Sequence, residues 1–279
     1  MKTVLILGST GMLGSMLTQV LSQDESVFLH GTVRTVAQMQ NMQQSFPRIT
    51  FHLIDAEKDS ISSLLEKFEQ LDWIINAIGV IKPLIHDTTA PQVERALQLN
   101  ALFPYYLSRS AKYSRIIQIA TDCVYSGTRG NYYEDDIHEP HDVYGKTKSL
   151  GEVYADNIFH LRCSIIGPEH DQAKSLWEWV KNQPRNAVAH GFSNHLWNGI
   201  TTLHFAKICH GIISKNMKLL HLQHIIPANR VTKLELIRYI LEVCEREDVT
   251  IKPVIAPIAV DRTLATKYDT INRSLWEAA

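Results

Sequence analysis

A short apolar run, Thr3–Leu7, passes directly into Gly8-Ser9-Thr10-Gly11-Met12-Leu13-Gly14, and an apolar helical pattern begins inside that loop. No other feature restricts the fold so much. Glycine is required where a chain turns this tightly from strand to helix, where backbone must approach a ligand, and where the helix packs on the sheet. A helix opening here aims N–H groups and a partial positive charge at whatever lies before it, the arrangement that binds phosphate. Gly8, Thr10, Gly11, Met12, Leu13 and Gly14 are therefore the candidate pyrophosphate cradle. The alternative is a glycine-rich turn that holds no ligand.

The alternation continues up to residue 165. Strand-length apolar runs at Thr3–Leu7, Val27–Thr32, Ile49–Leu53, Trp73–Asn76, Ile116–Ala120 and Ile158–Leu161 are separated by helical patterns. Those patterns fall at Met12–Ser22, Val36–Gln44, Ile61–Phe68, Val93–Tyr113 and Tyr144–Asp156. Continuous apolar strands between helices predict an α/β fold with a doubly wound, parallel Rossmann sheet. After Gly167-Pro168 the texture changes. It gives a helix around Trp177–Val180, an irregular stretch from Pro184 to Gly199, and helices near Leu203–Ile213 and Thr232–Cys244. The expected organisation is a nucleotide-binding domain over residues 1–165 and a smaller C-terminal α/β substrate lobe over 166–279, with a soft boundary and room for interleaving. A substrate would sit in the cleft between them.

The formal net charge of −1 offers no basic field for a phosphate backbone, so nucleic acid is not an expected partner. Cys123, Cys163, Cys209 and Cys244 are widely spaced with no C-x-x-C pair, which fits free thiols in a reducing compartment. The first residues are too short for a signal sequence, and no stretch approaches the ~18 apolar residues of a membrane span. A cytoplasmic protein with no membrane partner is expected. Thirteen histidines raise the question of a metal. The closest pairs are His138/His141, in a proline-broken loop, and His221/His224, in a strand-like run where the two face opposite sides. No metal site is expected.

Arg34 follows the second strand, where an acidic residue would meet the ribose 2′-OH of NAD and an arginine suits the 2′-phosphate of NADP. The expected cofactor is NADP(H), with NAD(H) the alternative. Asp55, at the end of the third strand, is placed either for an adenine edge or as a helix N-terminal acid. Asn76-Ala77-Ile78-Gly79 ends the fourth strand in small residues that let backbone approach a cofactor, giving Ala77, Ile78 and Gly79 as candidates. Of ten tyrosines only Tyr144 has a lysine four residues on, Lys148, on the same helix face. An ammonium ~5 Å from a phenol, at an effective dielectric of ~20, is worth about 3 kcal/mol, or roughly two pKa units. That would make the tyrosine a usable acid or base. Thr121 ends the fifth strand, ahead of Asp122-Cys123, and Asn100 lies in the long helix before it.

These stretches resemble an extended short-chain dehydrogenase/reductase of the dTDP-4-dehydrorhamnose reductase-like family. Gly8–Gly14, Asn76–Gly79, Ala120–Gly127, Glu134-Asp135-Asp136 and Val143–Lys148 with Gly151-Glu152 carry the likeness, and the last third is similar in layout only. The resemblance implies an NADPH-dependent oxidoreductase that converts a 4-keto sugar nucleotide to a deoxysugar nucleotide. Tyr144 would protonate the carbonyl oxygen, Lys148 would hold the nicotinamide ribose, and Thr121 would bind the reacting oxygen. Asn100 would support Lys148. Asp122, Trp197 and Asn198 are the substrate-side candidates. The absence of a glutamate after Thr121-Asp122 argues against a dehydratase. Cys123 is read as a small buried hydrophobe, and Arg262 as an exposed arginine. A non-catalytic NADP-binding regulatory subunit like the β subunit of methionine adenosyltransferase, and an NAD-dependent epimerase, stand as alternatives. A homodimer is the family-level expectation.

Overall fold

The computed structural model describes residues 1–169 and 174–279. The apolar runs become β1 (Lys2–Leu7), β2 (Val27–Val33), β3 (Thr50–Leu53), β4 (Trp73–Asn76), β5 (Arg115–Thr121) and β6 (Ile158–Cys163). Between them lie α1 (Met12–Leu21), α2 (Val36–Ser45), α3 (Ile61–Leu65), α4 (Ala90–Ala96), α5 (Phe103–Ser110) and α6 (Val143–Leu150). The remainder holds β7 (Ile165–Ile166), α7 (Leu176–Lys181), β8 (Val188–Phe192), β9 (His195–Trp197), β10 (Ile200–Thr201) and α8 (Thr202–Ser214). Then come β11 (Leu222–His224), β12 (Val231–Thr232), α9 (Lys233–Val243), β13 (Thr250–Val254), β14 (Val260–Asp261) and α10 (Asp269–Ala278).

The main sheet has seven strands in the order β3-β2-β1-β4-β5-β6-β11, every pair parallel. Strand order reverses between β1 and β4, so a crevice opens at their carboxyl ends. One face buries Leu13, Leu17 and Leu21 of α1 against Phe205, Ile208 and Ile212 of α8. The other buries Phe103 and Leu107 of α5 on Leu5, Leu7, Ile74 and Ile116. Each such side chain contributes roughly 1.5–3 kcal/mol by leaving water.

Three predicted elements differ. The single helix expected over Val93–Tyr113 is α4, a π-helical stretch at Leu97–Leu102, and α5. Pro104 has no N–H for the carbonyl of Asn100, four residues back, and a widened turn is a common way to take up that loss. The helix expected to reach Asp156 stops at Leu150. Gly151 lies so close to the Asn100 carbonyl that a Cβ there would stand 1.9 Å from its oxygen. The chain then turns away and buries Val153 in the core. The stretch from Pro184 to Gly199, expected to be irregular, contains β8 and β9, whose partners β13, β12 and β14 lie far along the chain.

Candidate active site

A cleft of about 540 Å³ follows the carboxyl edge of the sheet. Gly8, Thr10, Gly11, Met12, Leu13, Arg34 and Asp55 line one end; Ala77, Ile78, Gly79 and Asn100 line the middle. Thr121, Asp122, Tyr144, Lys148 and Trp197 line the other end. The sequence candidates therefore share one cavity, apart from Gly14 and Asn198.

Gly8 takes φ +84°, a left-handed conformation that side chains resist, and its N–H donates to Thr32 Oγ1 at 2.8 Å. Ser9 N–H donates to the Thr32 carbonyl at 3.0 Å. Thr32 thus anchors the loop, a role the sequence reading missed because a threonine inside a strand carries no local signal. Gly14 sits behind the loop: a Cβ there would lie 1.9 Å from the Gly8 oxygen, so its role is to let α1 close onto β1. No side chain caps the start of α1 and no acidic residue occupies its first turn, which leaves its N–H groups for an anion.

Arg34 is exposed at the rim, with its backbone N–H on Gln38 Oε1 at 3.1 Å. Asp55 is not a helix cap. Although partial burial opposes it, the Glu57 N–H at 3.1 Å and the Lys58 ammonium at 3.1 Å hold its carboxylate below the usual range. Ile78 N–H donates to Asn76 Oδ1 at 3.1 Å, and Asn76 in turn donates to Gln118 at 2.7 Å. Asn100 brackets Val80, accepting from its N–H at 2.8 Å and donating to its carbonyl at 2.9 Å; it also donates to Thr147 Oγ1 at 3.3 Å. Its bonds therefore fix the Ala77–Val80 loop and α6, where support of Lys148 was expected.

At the other end, Thr121 Oγ1 donates to Asp122 Oδ1 at 3.2 Å and accepts the Cys123 N–H at 3.2 Å. Asp122 N-caps nothing and is buried; desolvation pushes its carboxyl up, against the pull of Arg262, the Thr121 hydroxyl and Lys233. Burial also pushes the Cys123 thiol up to about 12, but the side chain is half-buried on the cleft wall, where a buried hydrophobe was expected. Enclosure raises the Tyr144 phenol above its ordinary value, while the Thr121 hydroxyl pulls the other way. Lys148 donates to the Ile119 carbonyl at 2.8 Å, and burial lowers its pKa to about 8. The sequence-based expectation that Lys148 lowers the Tyr144 pKa is corrected here: desolvation of the phenol dominates, and the ammonium is engaged with backbone.

Trp197 faces the cleft with its indole N–H on Ser164 Oγ at 2.8 Å. Asn198 is turned to the backbone of Leu264, donating to its carbonyl at 2.7 Å and accepting its N–H at 2.9 Å. Arg262 is partly buried, not exposed, and donates to the Tyr125 and Ser126 carbonyls. Lys233, which the sequence reading passed over, also lines the cleft. Thr232 and Glu235 form a reciprocal capping box that could have located this helix start, though not its aim. Among the described residues no group of three or more His, Cys, Asp or Glu side chains could hold a metal, and no helix is long and apolar enough to cross a membrane.

The pattern of the RmlD substrate binding domain family matches residues 1–262. The chain belongs to this family. Over 156 residues this RmlD-family chain is 30% identical to the dTDP-4-dehydrorhamnose reductase of Aggregatibacter actinomycetemcomitans, covering 54% of this chain and 46% of that protein. It is likewise 30% identical over 154 residues to methionine adenosyltransferase 2 subunit beta of Mus musculus, covering 54% and 42%. The chain thus spans just under half the length of the curated relatives it matches. A UDP-glucuronic acid 4-epimerase from Bacillus cereus, solved with UDP-4-deoxy-4-fluoro-glucuronic acid and NAD, superposes with a TM-score of 0.77 at 17% identity. That match covers 99% of this chain and 93% of the other, a likeness of fold.

Proposed function

We propose that this chain is an NADPH-dependent reductase of a nucleotide-linked 4-keto sugar. The observation that carries the proposal is one cavity in which an uncapped helix N-terminus and glycine loop meet Thr121, Tyr144 and Lys148. The cradle fits a dinucleotide. Gly8 to Leu13 would take the pyrophosphate, Arg34 a 2′-phosphate, Asp55 the adenosine end, and Lys148 the nicotinamide ribose. When bound, NADPH supplies the hydride, chemistry no side chain here provides. The chain supplies the rest: Thr121 orients the carbonyl oxygen and Tyr144 donates its proton to it.

The Tyr144 phenol holds its proton at neutral pH, as an ordinary tyrosine does, and that proton is the one a reductase delivers to the carbonyl oxygen. An epimerase would draw on the same residues. The likeness to the mouse β subunit supports a second reading, in which the same cleft binds NADP within a complex and turns nothing over.

NADPH oxidation against a panel of dTDP-, UDP-, GDP- and CDP-linked 4-keto sugars tests the proposal. Turnover by the wild type should fall by about 10²–10⁴-fold in Tyr144→Phe, the range expected for loss of a general acid. Tight NADPH binding without turnover across the panel would reject the reductase and favour the regulatory reading.

A further inference from the structure

The helix that carries Tyr144 is fixed at its far end and needs a separate hold at its near end. α6 has 8 residues, Val143–Leu150, so Tyr144 lies in its first turn. Lys148 donates to the Ile119 carbonyl at 2.8 Å and Gly151 abuts the Asn100 carbonyl, which seat the second half on the sheet. The opening turn of a helix has N–H groups unpaired inside the helix, and fraying begins there. One side of this turn rests on the loop after Thr121: a Cβ at Gly145 would stand 2.3 Å from the Cys123 oxygen. The other side meets the segment between β4 and α4.

That segment leaves the Ala77–Val80 loop and crosses to α6. It is braced along its length. Asn100 brackets it at Val80, Pro83 lies in a 3₁₀ turn at Lys82–Leu84, and Ile85 is buried. The His86 N–H donates to Gln92 Oε1 at 2.7 Å, which ties the segment to α4. Its contacts with the first turn of α6 are both apolar and polar. Val143 and Tyr144 pack on the cluster of Val80, Ile85, Ala96 and Leu99. Asp87 Oδ2 accepts the Val143 N–H at 3.2 Å. The exposed Lys82 ammonium pairs with Asp142 Oδ2 at 2.7 Å, while Asp142 Oδ1 accepts the Gly145 N–H at 2.8 Å. Carboxylates therefore take the N–H groups on either side of Tyr144, where they also meet the positive end of the helix dipole.

We infer that Lys82 and Asp87 are positioning residues for proton delivery, clasping the first turn of α6 so that the Tyr144 hydroxyl stays in register with Thr121. This rests on the reductase reading above. Proton transfer needs the acid within hydrogen-bond reach of the carbonyl oxygen, and a misplacement of about 1 Å can cost on the order of 10²-fold in rate. The clasp springs from the loop that would meet the cofactor, so one braced segment sets both the cofactor wall and the acid.

Steady-state kinetics with whichever 4-keto sugar nucleotide of the panel wild type reduces tests this. If wild type reduces none, the reductase reading fails and takes the inference with it. Lys82→Met and Asp142→Asn break the same ion pair, the asparagine still capping Gly145. Each should lower kcat about threefold, the scale of one exposed pair, with KM and NADPH affinity unchanged, and together they should do no more than either alone. Adding Asp87→Ala to Lys82→Met removes the second fastening and should bring the loss to about tenfold. Asp87→Asn and Lys82→Arg, which keep an acceptor and a cation, should restore most of it. Hydrogen exchange on the NADP⁺-loaded protein should show the Val143–Gly145 amides opening several-fold faster in the Lys82→Met/Asp87→Ala double variant, with those of α1 unchanged. Unchanged kcat or unchanged exchange in that variant would overturn the inference. So would a weaker NADPH or substrate affinity in Lys82→Met that Asp142→Asn does not share, which would assign the lysine to a ligand.

Discussion

Lys148 keeps its ammonium in the cleft floor, where burial drops its pKa to about 8 from an ordinary 10.5. The folded chain therefore gives up this proton more readily than the unfolded chain. Below pH 8 the charge is present and opposes folding; between pH 8 and 10.5 only the unfolded state retains it, so stability rises through that window. Lys148→Met should raise the Tm at neutral pH by roughly 2–4 °C, about 1 kcal/mol for a chain of this size. The gain should shrink as the pH rises, and calorimetry across pH checks it. Turnover should vanish in the same variant, and in wild type it should decline as Lys148 deprotonates above pH 8. The spacing of Tyr144 and Lys148 could be read from the sequence because it is helical and local. Their protonation could not, since desolvation depends on walls supplied by Cys163, Ile165 and Trp197 far along the chain. Asn198 was misjudged for the same reason: nothing near it in sequence announces Leu264.

The contact between the π-helical stretch Leu97–Leu102 and the end of α6 sets the middle of the cleft. It joins Asn100, which brackets Val80, to the helix that carries Tyr144 and Lys148. Gly151→Ala would place a methyl group 1.9 Å from the Asn100 carbonyl, against backbone on both sides. We expect it to lower stability by roughly 1–3 kcal/mol, the usual range for overpacking, and to weaken NADPH binding together with turnover. Urea unfolding and a fluorescence titration of NADPH measure the two effects. At this scale the sequence was most informative where one element needs no distant partner to be recognised. The runs that became β1, β4 and β5 are apolar on both faces and were placed to within a residue. By contrast β8 pairs with β13 some sixty residues away, and its exposed Val188, His190 and Phe192 alternate with buried Ala189 and Gly191, a weak pattern in a single sequence. The break at Asn100 was hidden because Pro104 shows only that a helix is disturbed, not that it continues through a wider turn.

The molecule as a whole is tied together at Arg162, which is fully buried on β6. Its guanidinium bonds Glu152 after α6, the Tyr125 hydroxyl, His224 on β11 and His138. Burial first, and then the Arg162 charge, hold His224 near a pKa of about 4; burial holds His160 at about 4 and depresses His138 as well. The unfolded chain takes up protons on His224 and His160 between pH 6.5 and 4 while the folded chain does not, so stability falls as pH falls through that window. Each of these two rings contributes up to about 1.4 kcal/mol per pH unit there. Chemical denaturation at stepped pH should show the loss beginning near 6.5, and His224→Gln should flatten the slope. One consequence concerns how such a molecule can change over time. Because β11 completes the main sheet beside β6, and α8 covers α1, the stretch after residue 165 both lines the Thr121–Tyr144 end of the cleft and holds up the helix behind the glycine loop. It cannot be traded between relatives as a cassette. A graft of another protein's segment would also bring the wrong neighbours for Leu17 and Arg162.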